Sequence, residues 1–190
     1  MARSLPFRTR NAEATRADLL EAAQEVFARK SYAQAGMREI AAKAGTSPAL
    51  AIRYFGSKAG LYEAALQEAM RLPPDLTQDR GTFGARLAAE LLNPAHEIRP
   101  PLIMALASGD AQACAIAEKM MFEVAICALS GWLGGERGRE RTMAIAMLAT
   151  GFALYLRQFD WPALSPSERA RLSGWFAREV QALVDAPMLP

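Results

Sequence analysis

The chain predicts an all-α protein with a small helical head at its N-terminus and a larger helical body behind it. Three observations predict this. β-branched residues are sparse and no stretch alternates apolar and polar residues with period 2, so no strand pattern is present. Ala, Leu, Met, Arg and Glu, all good helix formers, dominate. Ser, Pro and Gly recur where helices start and stop. With 190 residues, 52% of them apolar, the chain has enough material for a core, and its 22% charged residues match ordinary globular usage.

Residues 1–14 are polar and basic and read as a flexible basic arm. Thr15 opens the first helix, with Asp18 three residues later in a capping-box-like arrangement. Leu19, Leu20, Ala23, Val26 and Phe27 then recur at helical spacing, and the helix is expected to end near Ser31. A second helix runs from Met37 to Ala44, with Met37, Ile40, Ala41 and Ala44 inward and Gly45 ending it through a positive φ. Ser47 caps a third helix, Pro48 takes its first position, where the missing N–H costs nothing, and Gly56 stops it after Phe55. Ser57 caps a fourth helix, from Lys58 to about Met70. The turn-rich stretch from Leu72-Pro73-Pro74 to Gly81 is a junction, followed by helices over 82–92, 100–107, 110–133, 137–159 and 166–185. The division expected is 1–14 arm, 15–57 three-helix head, 58–70 connecting helix and 71–190 body.

The charge is unevenly spread. Residues 1–58 hold ten Lys/Arg and five Asp/Glu, a net +5, and the remainder is −3, within an overall +2. A basic end on a mildly acidic body points to a polyanion met by the first third alone, or to a surface fluctuation. Cys114 and Cys127, in an apolar helical stretch, have no metal-type spacing and are expected as free, buried thiols in a reducing compartment. A basic N-terminus without a following apolar run and the lack of a stretch near the ~20 apolar residues of a membrane span give a cytoplasmic expectation, with no membrane partner. His96 is the one histidine and sits in a polar turn. No nucleophile–base set, metal set or strand-linked glycine loop is present, so neither an enzyme nor a cofactor or metal site is expected.

The informative segment is Met37 to Lys58. Two short helices are joined by a tight turn at Gly45-Thr46, with the small Ala41 where they cross and a capped start to the second. This is a helix-turn-helix, whose second helix enters the major groove of duplex DNA. Residues 15–66 resemble the DNA-binding head of the TetR (tetracycline-repressor-like) family. The resemblance rests on Leu19-Leu20-x-x-Ala23-x-x-Val26-Phe27, on Arg38-Glu39-Ile40-Ala41-x-x-Ala44-Gly45, and on Tyr54-Phe55-Gly56-Ser57-Lys58-x-x-Leu61. Four positions depart from the family pattern: Gly36, Leu50 and Ile52 replace a capping Ser/Thr, a phosphate-touching Ser/Thr and a Tyr, and Pro48 replaces a Lys, Arg or Gly. They leave the fold intact and suggest a shifted recognition code.

The residues expected at DNA are Arg38, Thr46, Ser47, Pro48, Ala49, Arg53, Tyr54 and Lys58. Lys58 sits at a helix N-terminus, where its ammonium and free N–H groups can grip one phosphate. Arg53 is able to pair with guanine in two hydrogen bonds, worth about 1–3 kcal/mol of discrimination. Tyr54 can bond a phosphate, touch a thymine methyl or lie half-buried between helices. Arg38 is a candidate phosphate clamp or a solvated charge, and Arg8, Arg10 and Arg16 supply a diffuse electrostatic contact. Phe55 is expected in the core.

For the body, the resemblance implies a domain that binds a small-molecule effector and dimerises. Phe83, Met104, Met120, Met121, Trp132 and Met147 are the residues named for an apolar pocket, although a Met or aromatic stripe at helical spacing is more often plain core. Met147, Gly151, Phe152, Tyr155 and Phe159 on one helix, with Trp175, Phe176, Val180 and Leu183 on the last, are named for a four-helix dimer interface, or for the chain's own core. The resulting expectation is an all-α homodimeric regulator with an N-terminal three-helix DNA-binding head and a C-terminal ligand and dimerisation domain. It binds a palindromic operator and is released by a small apolar ligand as a repressor. A helical small-molecule-binding protein and a ligand-independent helix-turn-helix protein are the alternatives.

Overall fold

A computed structural model describes residues 6–93, 100–158 and 164–186, all helix, turn or loop. The helices are α1 (Pro6–Phe27), α2 (Met37–Lys43), α3 (Pro48–Phe55), α4 (Lys58–Ala69), α5 (Phe83–Leu92), α6 (Pro100–Ala107), α7 (Ala111–Met120), α8 (Cys127–Leu133), α9 (Gly138–Ala153) and α10 (Pro166–Asp185). A 3-10 turn (Arg80–Thr82) precedes α5, and wider π-helical turns cover Met121–Ile126 and Leu154–Gln158. The chain forms two compact units, residues 1–70 with 102–120, and 71–101 with 121–190.

Two sequence expectations change here. α1 begins at Pro6 rather than Thr15, so residues 6–14 are helical and Thr15 lies inside the helix rather than at its start. Proline suits a first helical position, and the Arg and Ala residues after it are good helix formers, so nothing stops the helix earlier. Residues 102–120 also pack with the first 70 residues rather than with the rest of the body, because α7 lies on α4.

In the first unit, α1 buries Leu19, Leu20, Ala23, Val26 and Phe27 on one stripe, against Leu61, Tyr62, Ala65 and Leu66 of α4. Ala113, Ala117 and Met120 form the buried face of α7. Cys114, one position off that stripe, is exposed, as is Cys127, which corrects the expectation of buried thiols. Asp110 caps α7 by accepting from the Ala113 N–H at 2.9 Å.

In the second unit α5 and α10 lie in close contact. Phe83, Leu87, Phe152, Phe176, Val180 and Val184 are at its core, and the Phe152 and Phe176 rings stack at 4.1 Å. Gly84 permits that approach, because a β-carbon there would collide with the Ala177 carbonyl. Phe176 and Val180, expected on a dimer surface, are 0% exposed. They fall on the 176/180/184 stripe that α10 turns inward, so they leave the interface set. The buried Arg141 donates to the carbonyls of Leu133, Gly134, Leu183, Val184 and Ala186, gathering the C-terminal ends of α8 and α10. Cations suit helix C-termini, where unpaired carbonyls concentrate negative potential.

Candidate nucleic-acid interface

The helix-turn-helix is built from local rules that the residues obey. α2 starts at Gly36, which is extended and offers no side-chain cap. It ends where Gly45 takes φ +64°, and the Thr46 N–H reaches back to the Ala41 carbonyl at 2.9 Å. Ser47 is the N-cap of α3 and its hydroxyl accepts from the Leu50 N–H at 3.2 Å, with Pro48 at the first position. Gly56, at φ +75°, closes α3. Ser57 then caps α4 by accepting from the Gly60 N–H at 3.1 Å.

These constraints set which side of α3 faces out. Ala51 is completely buried, while Leu50, Tyr54 and Phe55 are half-buried on the flanks. Ala49, Ile52 and Arg53 are exposed, at i, i+3 and i+4, and so share one outward stripe. Ser47 is exposed at the start of the helix, with Thr46 and Pro48 half-buried beside it, and Arg38 is exposed on α2. Phe55, expected in the core, keeps part of its ring at the surface with the Arg16 guanidinium 5.4 Å from its centre.

Lys58 differs from its expected role in one respect. Its ammonium lies 4.5 Å above the Tyr32 ring and donates to the Ala33 carbonyl at 3.4 Å. Burial lowers its pKa, and the nearby Asp110 opposes that shift. The charge is folded back onto the first unit, within a swing of its four-carbon stem from solvent. Tyr32 also donates to the Gln112 side chain at 3.3 Å, so this lysine meets a polar cluster from three segments. No sequence pattern announces the cluster, because Asp110 and Gln112 lie some fifty residues further along.

Lys30 pairs with Glu39 at 2.7 Å and Lys43 with Glu25, so two of the head's cations neutralise acids of α1 and α2. The side chains of Arg8 and Arg10 lie outside the described set. Ile52 is the surface residue that the expected contact set omits. Its position three residues after Ala49 and one before Arg53 is the signal that could have included it.

The residues named for a pocket are divided between the two units. Phe83 is fully buried, its ring 5.0 Å from that of Trp132, whose indole N–H donates to the Thr77 carbonyl at 3.0 Å. Met104 and Met120 belong to the first unit, and Met121 and Met147 to the second. Met147 lines an open apolar groove of about 480 Å³ between α9 and α10, with Gly151, Phe152, Tyr155, Leu172 and Trp175. Met147 is 66% exposed, Tyr155 59% and Trp175 43%. Leu183 is half-buried on α10, and Phe159 and His96 lie outside the described residues. Among the described residues no helix is long and apolar enough to cross a membrane, and no cluster of His, Cys, Asp or Glu could hold a metal.

Residues 19–65 match the sequence profile described as bacterial regulatory proteins, tetR family. Residues 81–184 match the profile described as tetracyclin repressor-like, C-terminal domain. Over 52 residues the chain is 50% identical to the HTH-type transcriptional activator FasR of Mycolicibacterium smegmatis, a match that covers 27% of this chain and 24% of that protein. The fold is similar to that of NalD, the secondary repressor of the MexAB-OprM multidrug efflux pump in Pseudomonas aeruginosa, with TM-score 0.61 and 19% identity over 89% of this chain and 97% of that one. It is also similar to a tetR-family transcriptional regulator from Streptomyces coelicolor, with TM-score 0.56 and 27% identity over 90% of this chain and 80% of that one. The outward α3 stripe therefore sits in a head of established kind, and the chain belongs to the TetR family of DNA-binding transcriptional regulators.

Proposed function

We propose that this protein acts as a homodimeric repressor that binds a palindromic operator and leaves it when a small apolar ligand binds the body. The observation that carries the proposal is the exposed Ala49–Ile52–Arg53 stripe of α3, capped at both ends and set in the most basic third of the chain. Arg53 contributes a paired contact to guanine. Arg38, Tyr54, Ser47 and Thr46 hold the helix against the phosphates on either side, with the backbone at Pro48 and Ala49 close to the groove. Lys58 joins them by swinging off Tyr32.

A helix-turn-helix of this size reads a palindrome as a pair, with the two α3 helices about one helical turn apart. The groove formed by Met147, Gly151, Tyr155 and Trp175 supports pairing through α9 and α10 with the same face of a second copy. Large apolar side chains held at a surface are stabilised when such a face is covered. The effector is apolar because the body's interior offers ring and aliphatic surface, with Phe83 and Trp132 in contact among leucine, isoleucine and valine side chains. To move a population from 1:99 to 99:1, the ligand must prefer the DNA-free state by about 5.5 kcal/mol.

FasR is a transcriptional activator, and its likeness covers 27% of this chain and 24% of that protein, too short a stretch to carry the direction of regulation over. Selection from a pool of random duplexes, followed by mobility-shift titration, tests the reading. A palindromic consensus bound far more tightly than bulk DNA is expected. Equal affinity for every duplex would end it.

A further inference from the structure

We infer that Ile52 reads the C5-methyl group of a thymine, which makes it a specificity-determining residue of this head. The inference rests on the DNA-binding reading above and adds to it which base edge α3 discriminates. Ile52 is 50% exposed, the one large apolar side chain of α3 left so open. It occupies the middle of the outward stripe, one helical turn after Ala49 and next to Arg53. Neither the core nor a cap requires an isoleucine there: Ala51 is the buried residue of α3, and Ser47 and Gly56 end the helix.

The major groove presents hydrogen-bonding groups at every base pair, and its apolar feature is the thymine methyl. An aliphatic side chain against a cytosine amino group or a guanine carbonyl removes water from a polar group and returns no hydrogen bond. Against a thymine methyl the same side chain buries two apolar surfaces together. Ile52 therefore favours thymine and disfavours cytosine at one position in each half-site. Arg53, one residue further along, lies beside it on the stripe and faces an adjacent base pair. The small Ala49 leaves room for the groove floor to approach.

The test uses the full-length protein and the duplex it selects from a random pool. Each thymine is replaced in turn by uracil, which keeps every hydrogen-bonding group and lacks only the methyl. Wild type is expected to lose about fourfold in affinity at one thymine per half-site, the factor that corresponds to about one buried methyl group. Ile52→Ala is expected to bind the thymine duplex more weakly and to bind thymine and uracil duplexes alike. Ile52→Val is expected to keep part of the sensitivity. Unchanged helicity and melting temperature of both variants would show that the head stays folded. The inference is overturned if uracil is neutral at every position for wild type, or if Ile52→Ala keeps the full methyl sensitivity. A protein that selects no duplex at all overturns the DNA-binding reading, and this inference with it.

Discussion

Tyr62 places its hydroxyl inside the first unit, where no hydrogen-bond partner meets it among the described residues, with its ring edge-on to Phe27 at 4.8 Å and to Tyr32 at 5.1 Å. Burial pushes its pKa up to about 12, with Cys114, Tyr32 and Asp110 adding to the shift. The neutral phenol is thus the form the fold prefers. Stability does not depend on this group below the unfolded value near 10 and falls as the pH rises from there toward about 12, where the phenol must ionise in a buried site. Urea midpoints measured across that window are expected to fall, and to fall less in Tyr62→Phe. At neutral pH the same variant is expected to be more stable by about 1 kcal/mol, since it removes an unsatisfied buried hydroxyl and keeps the ring.

Lys58 could be placed at a helix start from the sequence, but its Tyr32 and Ala33 partners could not, since they come from the loop before α2. Lys58→Ala is expected to weaken binding to all duplexes equally and to reduce the slope of log affinity against log salt by about one. A salt titration on two unrelated duplexes would show this. A loss confined to one sequence would count against a phosphate contact.

At the scale of elements, the caps are the best-read features, because a cap is a contact between residues two or three apart. Ser47, Ser57, Gly45 and Gly56 all act where the sequence places them. The start of α1 is not legible in the sequence, because Thr15 is a good cap in isolation, yet the chain before it is also helical. The π-helical turns at Met121–Ile126 and Leu154–Gln158 interrupt stretches whose composition is plain helix, so no residue signals them.

The α5–α10 crossing makes a stability prediction. Gly84→Ala gains about 1 kcal/mol of helix propensity. It also forces a β-carbon against the Ala177 carbonyl, a backbone atom that cannot turn aside. Overpacking of this kind costs about 1–3 kcal/mol and is expected to win, seen as a lower urea midpoint. Arg141→Met is expected to cost about 3 kcal/mol, because it leaves buried carbonyls at the ends of α8 and α10 without a donor.

At the scale of the whole molecule, the proposed pairing of two copies makes a prediction. If the α9–α10 groove receives a second copy, Trp175→Glu places an unpaired carboxylate in a covered apolar surface, which the charge strongly disfavours. Sedimentation is expected to show a monomer at micromolar concentration. Operator affinity is expected to drop by a factor on the order of 100 as the two heads lose their linkage. A variant that stays dimeric would move the interface elsewhere.

Local signals in the chain were enough to establish the all-α class, the helix-turn-helix and the ends of α3, because each depends on neighbours within a turn of helix. Tertiary structure alone decided that Phe176 and Val180 face inward, that Lys58 rests on Tyr32, and that residues 102–120 join the first unit. The physical reason is that periodicity tells which residues share a face of a helix but not what that face meets. That partner is chosen by packing between segments far apart in the chain, where burial and charge are settled together.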